Sequence, residues 1–253
     1  MQKLSVYILT KNSEKYLALV LKQVSRVANE IIIVDSGSKD NTANIVSNTQ
    51  QTRLIYRAFD DFVSQRNFAA EQCSHDWVLF VDSDEVLTDR AVDSINELKE
   101  KGFRDEAYAI QRDWIVLGKS VKCVLPIVSP DYPIRLFNKN ITSFKAASNL
   151  VHETPTGYSS KGIISGAITH YTFETPAELF RKLDLYSDLA ARDLIENKRT
   201  INYLKYLLSP VASFIKYYVL KGGYRDGWVG VVLGKYAYDY VRLKYKKALI
   251  LIK

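Results

Sequence analysis

The chain has few cysteines, no long apolar run and no glycine-rich phosphate loop. Its 253 residues include two cysteines, Cys73 and Cys123, which lack metal-ligand spacing and therefore exclude a cysteine-based metal site. The longest apolar runs fall far below the about 20 residues that span a bilayer. Neither common glycine-rich phosphate loop is present, and no internal repeat or low-complexity tract was found. These absences leave an ordinary globular protein without a membrane-spanning helix as the expectation.

Composition and the first residues agree with that expectation. Hydrophobic residues make up 47% of the chain and charged residues 25%, which is ordinary globular usage for a chain long enough to bury a full core. The apolar segment Leu4–Leu9 is too short for a signal peptide and leads directly into Lys11. We therefore expect a cytoplasmic protein with one main domain and an appendage.

The first 85 residues alternate strand-like and helix-like segments. Strand patterns lie at Leu4–Leu9, Glu30–Asp35, near Arg53–Tyr56 and from Trp77, and helix patterns lie at Glu14–Val27, from about Asp40 and at Phe62–Cys73. Such alternation predicts an α/β fold with a parallel sheet and helical crossovers on its faces.

Carboxylates stand at the ends of two of these strands. Asp82 and Asp84 follow an apolar strand that begins at Trp77, and two aspartates one residue apart can hold one hard divalent cation shared with substrate phosphates. Asp35 ends the second strand, where a carboxylate can accept hydrogen bonds from a nucleoside. A solvated acidic turn and a turn-forming aspartate are the structural alternatives for these positions.

Four segments follow one another along the chain: Ser5-Val6-Tyr7-Ile8-Leu9-Thr10-Lys11-Asn12, Ile32-Ile33-Val34-Asp35-Ser36-Gly37-Ser38-Lys39-Asp40-Asn41-Thr42, Gln65-Arg66-Asn67-Phe68-Ala69 and Asp82-Ser83-Asp84-Glu85. In order and spacing they resemble the family 2 glycosyltransferases. The Asp35-Ser36-Gly37-Ser38 and Asp84-Glu85 forms look most like the lipopolysaccharide core β-1,4-glucosyltransferases, as do Arg135-Leu136-Phe137 and Val151-His152-Glu153. The resemblance is clear over residues 3–175.

The resemblance implies a GT-A fold, which is a Rossmann-like fold that binds nucleotide sugars, and transfer of a sugar with inversion. It also implies roles for particular residues. Nucleotide-sugar binding falls to Thr10, Asn12, Asp35, Arg66, Asp82, Ser83 and Arg135, and metal binding to Asp84 and His170. The expected cofactor is Mg²⁺ or Mn²⁺, which would offset charge that develops on the nucleoside diphosphate. His170 could instead be a buried histidine at the sheet edge, and both arginines could be structural ion-pair partners.

Inverting transfer needs a base for the acceptor hydroxyl, and the candidates are few. Glu153 is the only acid between Asp131 and Glu174, and it matches the position where the resembling enzymes place a carboxylate near the acceptor. Asp131 is the second candidate, although its flanking prolines favour a turn. His152 could orient substrate or the neighbouring acid, or it could be structural.

The basic excess of the chain lies in its C-terminal part. Residues 1–160 hold 19 basic and 20 acidic side chains, whereas residues 161–253 hold 16 basic and 8 acidic ones with 11 of the 17 tyrosines. Apolar residues between Ile201 and Val219 recur at helical spacing, which predicts an amphipathic helix bent at Pro210. We therefore divide the chain into a catalytic domain, residues 1–175, and a helical, basic and aromatic region, residues 176–253. This region either lies on an anionic membrane surface or packs on the catalytic domain.

The preferred function is a metal-dependent, inverting glycosyltransferase that moves glucose from UDP-glucose to a glycolipid or oligosaccharide acceptor such as the lipopolysaccharide inner core. It would act in the cytoplasm or at the cytoplasmic face of the inner membrane, with no nucleic-acid partner. The alternatives are a transferase for another surface polysaccharide, a nucleotidyltransferase, and a non-catalytic basic protein that binds membrane or nucleic acid. Strand-end carboxylates would repel phosphate in a binding module, so they favour an enzyme.

Overall fold

A computed structural model describes residues 1–125, 127–145 and 154–252. The chain forms two compact units, each built from separate stretches of sequence. The first comprises Met1–Arg112 and Tyr132–His170, and the second comprises Asp113–Asp131 and Tyr171–Lys253. The expected functional division at residue 175 stays a prediction. His152 and Glu153 lie outside the described residues.

The first unit begins with the predicted alternation of strands and helices. Its strands are β1 (Leu4–Thr10), β2 (Glu30–Asp35), β3 (Thr52–Tyr56), β4 (Trp77–Phe80), β5 (Glu85–Leu87), β6 (Ala107–Val116), β10 (Ile134–Asn138), β11 (Ser143–Lys145), β12 (Thr154–Thr156) and β13 (Lys161–Tyr171), with the last residues of β6 and β13 in the second unit. Its helices are α1 (Glu14–Val24), α2 (Thr42–Ser47), α3 (Phe62–Glu71) and α4 (Asp89–Lys101).

The strands of the main sheet follow the order β3-β2-β1-β4-β10-β6-β13-β5. The first four pair in parallel, and β10 then pairs antiparallel with both β4 and β6. At the end of this strand order, β13 pairs antiparallel with β5, so that His170 lies opposite Glu85. The predicted parallel α/β sheet is therefore confirmed for its N-terminal half, and later strands extend it as a mixed sheet.

Alternate residues of the central strands enter two separate cores. Val6 and Ile8 of β1 pack in one core with residues of α1 and α4, whereas Tyr7 packs in the other with residues of α3. This division follows from the two-residue period of a strand, whose successive side chains point to opposite faces. Both sheet faces are covered, which explains why β2 is continuously apolar from Ile31 to Val34.

The second unit is mainly helical. It contains β7 (Lys119–Ser120), β8 (Cys123–Val124), β9 (Ile127–Val128), α5 (Pro176–Glu196), α6 (Tyr203–Phe214), a π-helical turn (Ile215–Leu220), a 3₁₀ turn (Gly223–Asp226) and α7 (Trp228–Leu251). Trp114 and Val116 pack with Leu179 and Leu183 of α5 and with the apolar side of α7 that includes Leu233. Within residues 1–125, 127–145 and 154–252, no helix combines the length and apolarity needed to cross a bilayer.

Candidate functional site

The ends of β1 and β2 meet through a side-chain hydrogen bond. Thr10 lies opposite Asp35 in the sheet register, and the Thr10 hydroxyl donates to the Asp35 carboxylate over 2.8 Å. The backbone N–H groups of Gly37 and Ser38 donate to the other Asp35 oxygen at 2.9 and 2.8 Å. Burial alone would raise the pKa of Asp35, but the hydrogen bonds from Ser38, Thr10 and Gly37 outweigh it and lower the pKa. Asp35 is therefore an ionised anchor for the loop that follows β2.

The loop after β1 is bound to the loop after β2. The Asn12 side-chain oxygen accepts from the Lys39 backbone N–H, and the Asn12 N–H donates to the Ser38 hydroxyl, each over 2.8 Å. Lys11 reaches across the same loop and donates from Nζ to the carbonyls of Ser36 and Gly37. Thr10, Asn12 and Asp35, three of the predicted nucleotide-binding residues, are thus brought together in one hydrogen-bonded structure.

The loop after β1 also contacts the acidic segment that follows β4. The hydroxyl oxygens of Ser13 and Ser83 lie 2.9 Å apart. Ser83, another predicted nucleotide-binding residue, stands between Asp82 and Asp84 in the chain. The carboxyl ends of β1, β2 and β4 therefore form one continuous edge, as expected for parallel strands in an open sheet.

Asp82 is held between two arginines. Arg66 NH2 lies 3.0 Å from one Asp82 oxygen, and Arg135 NH2 lies 3.3 Å from the other. Burial alone would raise the pKa of Asp82, but the two guanidinium groups outweigh it and hold the pKa far below its usual value. Both guanidinium groups also lie over the Phe80 ring, 4.7 and 4.5 Å from its centroid. Arg66 and Arg135 therefore position Asp82, and their direct contact with substrate stays a prediction.

Glu85 extends this cluster to a third arginine. Its fully buried carboxylate accepts from Arg135 Nε at 2.9 Å and NH2 at 2.6 Å, and Arg112 NH1 lies 3.1 Å away. Burial alone would raise the pKa of Glu85, but Arg135 outweighs it and lowers the pKa. We call Arg66, Asp82, Arg135, Glu85 and Arg112 the acid–arginine network. Within it, each of the two carboxylates contacts two of the three arginines.

Asp84 points away from this network toward His170. Its Oδ2 lies 3.4 Å from His170 Nε2, because β13 pairs with β5 and places His170 opposite Glu85. Burial alone would lower the pKa of His170, but its hydrogen bond to Asp84 and the charge of Asp84 raise it above the ordinary imidazole value. The two residues that were predicted to bind metal are thus brought together.

The Asp84–His170 pair fits a divalent cation. A carboxylate oxygen and an imidazole nitrogen are both common metal ligands, and Mn²⁺ accepts this mixed set. Their 3.4 Å separation is shorter than two metal–ligand bonds of about 2.1 Å each, so one ion can contact both atoms. No group of three or more His, Cys, Asp or Glu side chains suited to a metal occurs among the described residues. Oxygen atoms of a diphosphate substrate and water could add to these two ligands.

Of the three candidates for the catalytic base, the structure describes only Asp131. Asp131 belongs to the second unit, where its Oδ1 accepts from the Trp114 indole N–H over 2.9 Å. That hydrogen bond supports a packing function for Asp131. Because Glu153 and His152 lie outside the described residues, their catalytic roles stay predictions.

Two members of the acid–arginine network were not singled out from the sequence as functional. Glu85 had been noted only as part of a motif, and Arg112 had not been noted at all. The sequence does contain an indication for Arg112. Three polar residues interrupt the apolar pattern of β6: Gln111, Arg112 and Asp113. Such an interruption of a strand indicates that its side chains have polar partners. The buried Arg112–Glu85 ion pair provides one of them.

Comparison with known proteins extends the likeness along most of the chain. Residues 5–113 match the family described as "Glycosyl transferase family 2". Over 239 residues the chain is 26% identical to an uncharacterized glycosyltransferase of Rickettsia typhi, covering 92% of this chain and 82% of that protein. It is 28% identical over 237 residues to the lipopolysaccharide core biosynthesis glycosyltransferase LpsC of Rhizobium meliloti, covering 90% of this chain and 85% of LpsC.

Solved structures share the fold at low identity. A mannosyltransferase of Pyrobaculum calidifontis, solved with GDP-Man and Mn²⁺, is similar with a TM-score of 0.54 and 12% identity, covering 99% of this chain and 88% of that one. Residues 1–349 of S. aureus TarS, solved with UDP-GlcNAc, give a TM-score of 0.51 and 14% identity, covering 97% and 92%. These likenesses identify the predicted GT-A fold.

Proposed function

The chain is a glycosyltransferase that carries a family 2 domain, and from this premise we propose that it transfers a sugar from a UDP-sugar to a glycolipid acceptor, with inversion and with a divalent cation. UDP-glucose is the preferred donor, and the lipopolysaccharide inner core is the preferred acceptor. The likeness to LpsC, which is named for lipopolysaccharide core biosynthesis, supports this acceptor class. The cytoplasm is the proposed location, where nucleotide sugars are available.

One observation carries the proposal: the Asp35 loop and the Asp84–His170 pair lie at the carboxyl ends of the parallel strands, where the Ser13–Ser83 contact links the loops. A UDP-sugar needs both features. The Asp35 loop offers hydrogen-bonding groups to a nucleoside, and the Asp84–His170 pair offers ligands for a cation that binds a diphosphate.

The carboxylates at the strand ends differ in the residues that they contact. Asp82 and Glu85 are already bound by arginines, so their charges are compensated before substrate arrives. Asp84 is 40% exposed and has no arginine contact among the ion pairs of the described residues, which leaves its carboxylate available to a cation. When bound, a divalent cation would offset negative charge on the departing nucleoside diphosphate.

Other members of the fold support a nucleotide-sugar donor but differ in its identity. The TarS structure holds UDP-GlcNAc, and the Pyrobaculum enzyme holds GDP-Man with Mn²⁺. The glucosyl-3-phosphoglycerate synthase of Mycobacterium tuberculosis, with a TM-score of 0.50 and 15% identity over 79% of this chain and 81% of that one, was solved with UDP and Mn²⁺. A second acceptor class, another surface polysaccharide, therefore stays a candidate within the same chemistry. A non-catalytic binding protein is set aside because the chain is a glycosyltransferase.

A screen of nucleotide sugars tests this proposal. UDP-glucose, UDP-galactose, UDP-GlcNAc and GDP-mannose would each be incubated with the protein and Mn²⁺, and release of the nucleoside diphosphate would be measured. We expect the highest release from UDP-glucose, and more in the presence of a lipopolysaccharide inner-core acceptor. Release from GDP-mannose alone would contradict the UDP assignment. Absence of release from every donor, with acceptor and metal present, would contradict the proposed function.

Glu153 is our proposed general base. Glu153→Gln should lower the turnover rate by roughly 10²-fold or more, because the amide cannot accept the acceptor hydroxyl's proton, while UDP affinity stays near that of the wild type. Steady-state transfer kinetics and calorimetric UDP titration measure the two quantities. Glu97→Gln, on the exposed face of α4, is the matched control. A parallel fall in UDP affinity would assign Glu153 a structural role instead.

A further inference from the structure

One side of α6 and the following π-helical turn is apolar and exposed. Tyr203, Leu207, Val211, Ile215 and Val219 recur every four residues, which places them on one helix face. Leu204 and Leu208 lie beside them, and all seven side chains are between 46% and 63% exposed. We call these seven residues the apolar stripe. An exposed apolar surface of this extent marks an interaction site.

The opposite side of the same helix is already used for packing within the second unit. Pro210 and Ser213 are buried, and the Phe214 ring stacks on Tyr218 with centroids 5.1 Å apart. Gly234 of α7 lies directly against this side: a Cβ added there would lie 2.9 Å from Phe214 Cε2. These contacts fix the orientation of α6 on α7. The apolar stripe therefore faces away from the core of the second unit and is exposed.

The charged residues of the chain segment that carries the apolar stripe are all basic. Residues 197–225 contain six basic side chains and no Asp or Glu; the six are Lys198, Arg199, Lys205, Lys216, Lys221 and Arg225. Lys205 and Lys216 lie on the same helical segment as the stripe. Exposed aromatic residues continue the segment at Tyr224 and Trp228. An apolar face bordered by lysines with aromatic residues nearby is typical of helices that lie in a membrane interface.

From this arrangement we propose that α6 and the π-helical turn lie flat on an anionic lipid bilayer. The apolar stripe would insert at the boundary between headgroups and acyl chains, and the flanking cations would lie at the headgroups.

A second copy of the chain is a poorer partner for this surface than lipid. Two such segments would bring twelve cations and no carboxylate of their own into contact, and the repulsion would oppose association. Anionic lipid complements both the charge and the apolar area.

The basic residues near the end of α7 are a less suitable lipid surface than α6. Lys247, at the end of α7, donates to Asp184 at 2.6 Å and lies 2.8 Å from Asp188. Lys247 therefore stabilises the contact between α5 and α7. The apolar stripe with Lys205, Lys216 and Lys221 is the surface that we propose for lipid contact.

Vesicle flotation tests this surface directly. The full-length protein would be mixed with vesicles of phosphatidylcholine alone or of phosphatidylcholine and phosphatidylglycerol at roughly two to one, at about 0.1 M and about 1 M salt, where the Debye length falls from about 10 Å to about 3 Å. We expect flotation with the anionic vesicles at low salt, weaker flotation at high salt, and little with neutral vesicles. Wild-type protein that stays at the bottom of every gradient would overturn the proposal.

Matched variants separate the stripe from exposed residues elsewhere in the unit. Leu207→Ser with Ile215→Ser should reduce partitioning to anionic vesicles by about tenfold or more, because two inserted apolar side chains are lost. Leu185→Ser, at an equally exposed leucine of α5, should change partitioning little. Lys216→Gln with Lys221→Gln should weaken binding and its salt dependence, whereas Lys246→Gln on α7 should not.

The outcomes distinguish this inference from the donor assignment. Release of UDP from UDP-sugar without lipid reports on the first unit's chemistry and should be unchanged in every variant of the stripe. Equal flotation of the Leu207→Ser, Ile215→Ser variant and the wild type would overturn the lipid surface. Self-association of the wild type in light scattering, abolished by the same pair of substitutions, would identify a second copy as the occupant and would also overturn it.

Discussion

At the scale of single residues, the site depends on alternation of charge. Each carboxylate of the acid–arginine network, half-buried Asp82 and fully buried Glu85, touches two guanidinium groups, and Arg135 touches both carboxylates. Burying one ion without its partner is costly, but a connected series of paired ions compensates each charge. The arginines of the network thus compensate Asp82 and Glu85, while the ion pair of Asp84 is with His170.

Removing the centre of this network should be strongly destabilising. Glu85→Gln leaves Arg135 and Arg112 short of a buried counter-charge, and we expect a loss of about 3 to 5 kcal/mol in the free energy of unfolding at neutral pH. Chemical denaturation followed by circular dichroism measures it. Glu97→Gln, whose carboxylate pairs with Lys101 on an exposed helix face, should have little effect.

The same variant has a defined pH dependence. Because the pKa of Glu85 is lowered in the folded state, its stabilising contribution is present above the ordinary carboxyl pKa of about 4.3 and is lost as pH falls through the folded-state value. The difference in unfolding free energy between wild type and Glu85→Gln should therefore narrow in acid. A difference that stays constant from neutral pH to acid would show that the carboxylate charge contributes nothing.

The sequence predicted individual site residues where they stand at strand ends. Asp35, Asp82 and Asp84 follow apolar runs, and parallel strands bring such positions to one edge. The sequence could not predict which of these acids pairs with an arginine and which pairs with a histidine. That division depends on β10 and β13, which bring Arg135 and His170 back to the strand ends from 50 or more residues further along the chain.

At the scale of elements, β13 positions His170 of the Asp84–His170 pair through close packing on α4. Gly166 has φ +94°, and a Cβ there would lie 2.4 Å from the Ala91 backbone nitrogen. The Thr88 hydroxyl, which caps α4, also accepts from the Ala167 N–H over 3.1 Å. His170 lies four residues further along the same strand. The contact between β13 and the start of α4 thus fixes the strand that carries His170.

Gly166→Ala should disturb this contact. We expect a loss of about 2 to 4 kcal/mol in unfolding free energy, which combines left-handed backbone strain with displacement of the α4 backbone. Gly118→Ala is the matched control, because Gly118 has φ +74° in a turn with nothing within 4 Å of the added Cβ. It should lose only about 1 kcal/mol from backbone strain. Equal losses in thermal or urea unfolding would contradict the close packing of β13 on α4.

The early elements were predictable because their patterns are periodic. The observed β2 matches the predicted Glu30–Asp35, and α1 ends at Val24 rather than at Val27. The antiparallel half of the sheet was not predicted, since pairing of β10 with β4 is a long-range choice with no local signal. In the C-terminal region, the helix continues through Pro210 and changes to π-helical geometry from Ile215.

At the scale of the whole molecule, sequence order and compact units do not coincide. Residues 113–131 join the C-terminal helices in the second unit, although they precede β10 of the first. A domain boundary predicted from the sequence cannot show that residues 113–131 belong to the second unit. That assignment requires knowledge of which residues they contact. The two units carry different proposals: nucleotide-sugar chemistry in the first and lipid contact in the second.

The measurement that tests the central claim most directly is calorimetric titration of UDP into the protein with Mn²⁺ and with a strong chelator. If Asp84 and His170 hold a cation that binds the diphosphate, UDP affinity should fall by about tenfold or more without metal, a change of about 1.4 kcal/mol or more. Asp84→Ala should show the weaker affinity under both conditions. Asp93→Ala, at an exposed acid of α4, is the control and should behave as the wild type. UDP affinity that is equal with Mn²⁺ and with chelator, or unchanged by Asp84→Ala, would contradict the account.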